Sequence, residues 1–292
     1  MSETKPVILR DHVLRAMTHD GSFRVLTVDA TKTSQDIIAL QKAKGSDALH
    51  LAELIAAAAL FRETMAPDLR AQCVLLGAQG SGRFAVDAQP EGATRGLLRV
   101  GDGHSHVLLG EGARLEMVRT LPAGRGHRGI VGIADGDTVE VAVMKYLQQS
   151  EQIVSTLRLY VTTDALGGVQ SMRGFLVQLT PETLEGPLAV MTERLAGDDA
   201  LFEAIARDRT KPLSALMDEL LYGFEHTITG NNRLRSECSC SEERMLGSLA
   251  SLPRADLREL VASGEPIEMV CEYCTRNYMV PPALLSGVLQ IS

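Results

Sequence analysis

Four of the five cysteines lie in the last quarter of the chain as two close pairs, Cys238-Ser239-Cys240 and Cys271-Glu272-Tyr273-Cys274. Two such pairs can close a tetrahedral shell of four thiolates with no open position, the donor set of structural rather than catalytic zinc. The same sulfurs respond to oxidant: once they pair with one another, no ligand is left for a metal. Residues i and i+2 of an extended chain point to one side, so Cys238 and Cys240 can present both sulfurs to one ion. The Cys271-to-Cys274 turn forms a compact knuckle that does likewise. Thirty residues separate Cys240 from Cys271, and this spacer carries a predicted helix after Pro253 with Leu257, Leu260 and Val261 along one side.

A module running from Ser236 to Ser292 is too small to hold itself together well by burial alone. Zinc in peptide sites contributes about 10–16 kcal/mol, so loss of the metal should melt it. Three other readings compete. A permanent zinc ribbon would have a purely structural task. A nucleic-acid finger needs a basic face, yet residues 231–292 hold six arginines, no lysine and eight acids. A dithiol oxidoreductase shares the Cys-x-x-Cys spacing, but Glu272 between the cysteines opposes the low thiol pKa that such catalysis needs.

The elements that must carry this module read as an α+β protein. Phe23–Val28 is a predicted strand. Asp47–Met65 is a predicted helix whose Leu49, Leu51, Leu54, Ile55, Ala58, Leu60 and Phe61 cover so wide an arc that it must be buried or bind something apolar. Short runs bounded by glycine follow: Gln72–Leu76, Phe84–Asp87, Gly96–Val100, His106–Leu109, Leu115–Val118 and Gly129–Ile133, which suggest an antiparallel meander. Val139–Gln149 reads as helix, and Leu157–Thr162 and Gly174–Leu179 as strands. Residues 182–224 read as helices, the clearest beginning at Pro212 with Leu213, Leu216, Met217, Leu220, Leu221 and Phe224 in one stripe. Gly230-Asn231-Asn232 marks a break. The expected organisation is an α+β core domain at 1–181, a helical linker region at 182–232 and a four-cysteine zinc/redox domain at 233–292.

Composition narrows the function. The formal charge of −8 argues against a general nucleic-acid binder. The longest apolar run, Leu54–Phe61, is far short of a membrane span, and Met1–Arg10 is polar without an apolar signal segment. A cytoplasmic protein is expected, where paired cysteines signify metal or redox chemistry more often than permanent disulfides.

The run Ile267-Glu268-Met269-Val270-Cys271-Glu272-Tyr273-Cys274-Thr275-Arg276-Asn277-Tyr278 resembles the terminal signature of the heat-shock protein 33 family, redox-regulated holdase chaperones. The upstream Cys-x-Cys followed by Ser241-Glu242-Glu243-Arg244, and Leu252-Pro253 before an acidic helix, are similar too. Weaker likeness extends over the alanine-rich helix ending Leu60-Phe61-Arg62, the Arg95-Gly96 strand, the Gly129-Ile130-Val131-Gly132 strand and the helix at Tyr146–Gln152. Met245 departs from the pattern, standing where some relatives carry an additional cysteine. The resemblance implies one Zn²⁺ per reduced chain on Cys238, Cys240, Cys271 and Cys274, and disulfides Cys238–Cys240 and Cys271–Cys274 on oxidation. It further implies an ATP-independent chaperone whose partners are unfolded, aggregation-prone proteins, with a homodimer of the oxidised form left open. A dithiol-disulfide oxidoreductase and a constitutive zinc-scaffolded interaction module are the alternatives.

Other motifs carry less. Gly77-Ala78-Gln79-Gly80-Ser81-Gly82 has neither the glycine order nor the following Lys-Ser/Thr of a phosphate loop and reads as a turn between strands. His104 and His106 read as lining a glycine-rich turn, and Cys73 as a buried, inert thiol. Neither a nucleophile elbow nor a His-Glu-x-x-His motif occurs, so no enzyme is expected and no catalytic residue is assigned.

Overall fold

The computed structural model describes residues 10–120, 126–249 and 252–291. Contacts divide the chain into two compact units, Met1–Ser236 and Glu237–Ser292. The large unit runs β1 (His12–Thr18), β2 (Phe23–Asp29), α1 (Thr31–Gln41), α2 (Gly45–Glu63), β3 (Arg70–Leu76), β4 (Gly82–Ala88), β5 (Ala93–Val100), β6 (Ala113–Thr120), β7 (Gly126–Ile133), α3 (Val139–Ser150), β8 (Ser155–Thr163), β9 (Val169–Leu179), α4 (Glu185–Gly197), α5 (Asp199–Arg207), α6 (Leu213–Leu220), β10 (His226–Arg233) and β11 (Arg235–Ser236). One sheet has the order β10-β1-β2-β9-β8 and the other β11-β5-β4-β3-β6-β7. Pairing is antiparallel throughout except between β11 and β5.

Alternation along the strands builds two cores on opposite faces of the first sheet. Leu26 and Val28 of β2, with Met172 and Leu176 of β9, join the core shared with α1, α2, α3 and the second sheet. Their neighbours Phe23, Val25, Phe175 and Val177 face the other way and are covered by Met191, Phe202, Ile205, Leu213, Leu216, Met217 and Leu220 from α4–α6. The helix α2 lies between the sheets, against β2, β8 and β9 on one side and β3, β4 and β5 on the other. Its run Ala56–Ala59 is buried, and these short side chains let both sheets close on one helix. A helix apolar all round is therefore a core element here. The stripe expected from Leu213 onward is likewise core.

Three expectations need correction. His106–Leu109 forms no strand: Val107 N donates to Asp47 Oδ1 at 2.9 Å and Leu108 N to Ser81 Oγ at 2.8 Å, so side chains take the place of a ladder. The second sheet is not a simple meander, because β6 returns to pair with β3 rather than β5. The break at Gly230-Asn231-Asn232 is instead the interior of β10, paired with β1 across a bulge between Arg15 and Ala16. Asn232 Nδ2 donates to Glu63 Oε1 at 2.8 Å, and the Arg15 guanidinium packs where a side chain at Gly230 would stand. Tertiary pairing thus overrides local turn propensity. The helix α1 also escapes local reading: its first amides, Lys32 N and Thr33 N, are capped by the Asp11 carboxylate at 3.1 and 2.6 Å, from far earlier in the chain.

The small unit holds α7 (Glu242–Leu249), α8 (Arg254–Ser263), the hairpin β12 (Ile267–Val270) and β13 (Asn277–Val280), and α9 (Pro282–Ile291). Among the described residues its buried apolar cluster is Leu249, Leu257 and Val280, with Leu246, Val261, Ile267 and Met269 packed alongside.

Candidate metal centre

The pairing of β12 with β13 ends at Val270 opposite Asn277, and the connection between them holds Cys271 and Cys274. This turn is tied by Cys271 N donating to Arg276 O at 2.9 Å and Thr275 N donating to Cys271 O at 2.8 Å, with Thr275 in the left-handed region at φ +57°. The other two sulfurs come from the irregular segment before α7. Arg244 on α7 holds that segment, donating from Nη1 to Ser239 O at 2.8 Å and Ser239 Oγ at 2.6 Å. Each half-site is thus a short turn clamped by a neighbouring element.

The four Sγ atoms of Cys238, Cys240, Cys271 and Cys274 lie within 4.8 Å of one another. The close approaches run across the half-sites, Cys238 to Cys271 at 3.8 Å and Cys240 to Cys274 at 3.3 Å. Sulfurs about 2.3 Å from a common tetrahedral ion stand about 3.8 Å from one another. The cluster therefore fits a metal ion, and Cys271 is buried while the other three cysteines are half-buried.

A fifth residue belongs to the centre. The Tyr278 hydroxyl donates to Cys240 Sγ at 3.0 Å. Burial opposes ionisation of Cys240, but this hydroxyl and the sulfurs of Cys274, Cys238 and Cys271 bring its thiol down to about 7. Cys274 moves the other way, pushed up to about 12 by burial and by sharing hydrogen bonds with Cys240, Cys271 and Cys238, against the Arg276 amide. Tyr278 was visible only as part of a family-like run, and Arg244 only as the fourth residue of Ser-Glu-Glu-Arg. Nothing in their types marks either as a partner of a sulfur; their positions on β13 and α7 do.

Cys73 stands apart in β3, fully buried among apolar neighbours, and burial pushes its thiol well above the ordinary range. The Gly77–Gly82 segment is a turn between β3 and β4 containing a short 3₁₀ stretch at Ala78–Gly80, and no helix follows it. Among the described residues no helix is long and apolar enough to cross a membrane.

Comparison with known proteins agrees with this fold. A crystal structure of the 33 kDa chaperonin (heat shock protein 33 homolog) of Thermotoga maritima superposes with a TM-score of 0.75 at 19% identity, covering 97% of this chain and 98% of that one. The 33 kDa chaperonin of Syntrophotalea carbinolica is 26% identical over 279 residues, 92% of this chain and 96% of the relative. That of Streptococcus gordonii is 24% identical over 279 residues, 92% of this chain and 94% of the relative. The model of the family described as "Hsp33 protein" matches residues 11–281, and over that span, which takes in both units and all four clustered cysteines, the chain belongs to the Hsp33 family.

Proposed function

We propose that this protein is a cytoplasmic, ATP-independent holdase that oxidation switches on. Cys238, Cys240, Cys271 and Cys274 would hold one Zn²⁺ when reduced. The observation that carries the reading is the pairing of a four-sulfur cluster with a very small core: sulfurs within 4.8 Å of one another, in a unit whose buried apolar cluster is Leu249, Leu257 and Val280. Full burial of such side chains contributes about 1.5–3 kcal/mol each, little against the entropy of ordering the chain. Zinc bound to the four sulfurs would supply about 10–16 kcal/mol of folding free energy to this unit.

Oxidation removes the donors. Two thiols of a pair give two electrons to hydrogen peroxide, forming one disulfide and two waters. With Cys238 joined to Cys240 and Cys271 to Cys274, the sulfurs bridge within each half-site and no longer between them. The unit then depends on its few apolar contacts and unfolds. In the large unit, α4–α6 cover an apolar face made of Leu14, Phe23, Val25, Phe175 and Val177. Loosening of these helices would present that face, and clients would be held by area burial, at roughly 25 cal/mol per Å². The exposed Leu184, Leu188, Val190 and Leu201 of this helical region already extend the apolar surface.

Zinc content and suppression of aggregation of a heat-unfolding client protein, each measured before and after peroxide, test the reading. Release of one equivalent of zinc together with onset of suppression is the expected result. Equal suppression by the reduced, zinc-loaded protein would overturn it. So would peroxide-insensitive zinc, which would identify a constitutive scaffold, or catalytic turnover with a thiol reductant, which would identify an oxidoreductase. The geometry does not favour the enzyme: Cys271 is buried in a turn between two strands rather than exposed at a helix N-terminus.

A further inference from the structure

The two sheets of the large unit have four edges, and the chain itself closes three of them. On β8, Leu159 N donates to Glu140 Oε1 and Leu157 N to Met144 Sδ at 3.3 Å, both acceptors standing on α3. On β5, β11 pairs with Ala93 and Thr94, and farther along Leu98 N donates to Gln41 Oε1 of α1 at 3.1 Å. The β10 edge is largely polar, and its pairing with β1 is broken by the bulge at Arg15 and Ala16. Bulges, covering elements and polar side chains are the usual means of keeping an edge from pairing with another chain.

The fourth edge, β7, is open. It pairs with β6 along its whole length, Gly126 to Ile133, without a bulge. Among the described residues, no bond other than that ladder reaches its backbone. The strand carries neither lysine nor proline, and Arg128 is paired with Glu116 on β6. Ile130 is 50% exposed. Two of the strand's glycines have causes inside the fold: a Cβ at Gly129 would strike Ser150 and Tyr146 of α3, and one at Gly126 would crowd Arg119 O at 3.1 Å. Gly132 has none, since its φ lies outside the left-handed region and a Cβ there would meet nothing within 4 Å. With no bulge present, a strand glycine of this kind marks a close approach by another backbone.

We propose that β7 takes an extended segment of an unfolding client protein as an added strand. The proposal rests on the chaperone reading above and names one place where the client is held. Backbone pairing suits such partners, because every unfolded chain offers the same N–H and C=O groups whatever its sequence. A second copy of this chain fits less well. A strand as long as β7 spans about 27 Å, and a contact one strand thick lies well below the roughly 1,200 Å² that stable protein pairs bury. A short flexible segment needs no such area, and it can lay an apolar side chain against Ile130. Pairing with a single edge is weak by itself. The edge therefore binds short segments in either redox state, whereas firm holding also needs the apolar face beneath α4–α6.

Hydrogen exchange of the reduced protein tests the proposal, with a soluble peptide of alternating valine and threonine between terminal lysines as the probe. Amides of β7 should gain protection saturably as peptide is added, while those of β8 and β10 stay unchanged. The same peptide N-methylated at every valine and threonine keeps its side chains but loses its donors, and should give no protection. Ile130→Lys should weaken peptide binding about threefold through loss of one apolar cross-strand contact. In the oxidised protein the same variant should suppress client aggregation less while releasing zinc as the unaltered chain does, which separates a failure at the edge from a failure of the switch. The peptide comparison uses the unaltered chain and so stands even if Ile130→Lys does not fold. No gain of protection in β7, equal protection by the N-methylated peptide, or peptide affinity unchanged by Ile130→Lys would overturn the proposal. So would peptide-free protection of β7 that rises with protein concentration alongside a dimer in sedimentation, which would assign the edge to a second copy.

Discussion

Each sulfur of the cluster lies close to a sulfur of the other half-site. Cys238→Ser leaves three thiolates, and the expected outcome is a chain that retains well under one equivalent of zinc and loses helical circular dichroism from α7 and α8. The melting of the large unit should stay unchanged, since none of its core residues is altered. Tyr278→Phe is a finer probe. It removes one hydroxyl donor to Cys240 while keeping the ring. Partners that orient metal ligands are worth roughly 10- to 100-fold in metal affinity, and a loss of that size in chelator competition is the expected result. At this scale the cysteine types and spacings named all four members of the cluster, because thiolate pairs a few residues apart have few other uses. Tyr278 and Arg244 were not legible as members, since a hydroxyl and a guanidinium acquire their roles only from the hairpin and helix that aim them.

At the scale of elements, a buried arginine, ion-paired within the sheet, also bonds to the loop between α5 and α6 and so helps join that layer to the sheet beneath it. Arg173 of β9 donates from Nε to Asp29 Oδ2 at 2.7 Å and from Nη1 to the carbonyls of Asp208 and Lys211, which link α5 to α6. Arg173 and Asp29 side chains are 2% and 3% exposed. Arg173→Ala would leave Asp29 buried and unpaired, a change that costs about 3–5 kcal/mol, to be read from chemical denaturation. Phe202→Ala opens a cavity between α5 and Phe175, where the two rings meet edge to face at 5.5 Å. Its cost is about 3–5 kcal/mol, and the expected outcome is increased dye binding and client suppression without oxidant. Suppression that still requires peroxide in Phe202→Ala would separate this helical layer from the switch. In the large unit, the helices other than α1 and most strands follow from periodicity in the chain. Strands β1 and β10 and helix α1 do not, because β10 is set by pairing with β1 and the cap of α1 is Asp11.

Across the whole molecule, the two units draw on different sources of stability. The large unit has two extensive apolar cores around one sheet; the small one has a handful of buried side chains and a sulfur cluster. Metal removal by a chelator should therefore abolish protection from hydrogen exchange in residues 237–291 while leaving β2, β9 and α2 protected. Uniform loss of protection over both units would show that they share one folding transition. The chain leaves α6 and passes through β10 at the edge of one sheet and β11 at the edge of the other before reaching Cys238. Leu234, between these strands, is buried in the main core, and Arg235 N donates to Gly92 O at 3.1 Å.

The amino-acid sequence alone determined the chemistry of this protein: four thiols in two close pairs, a module too small to bury its way to stability, and alternating or helical apolar patterns that make an α+β fold. These are properties of residue type and short spacing, which survive without coordinates. Tertiary structure alone decided which strands are neighbours, that β6 returns to β3, and that Asn231 and Asn232 lie inside a strand. Such facts rest on contacts between segments distant along the chain, and local propensity carries no record of them.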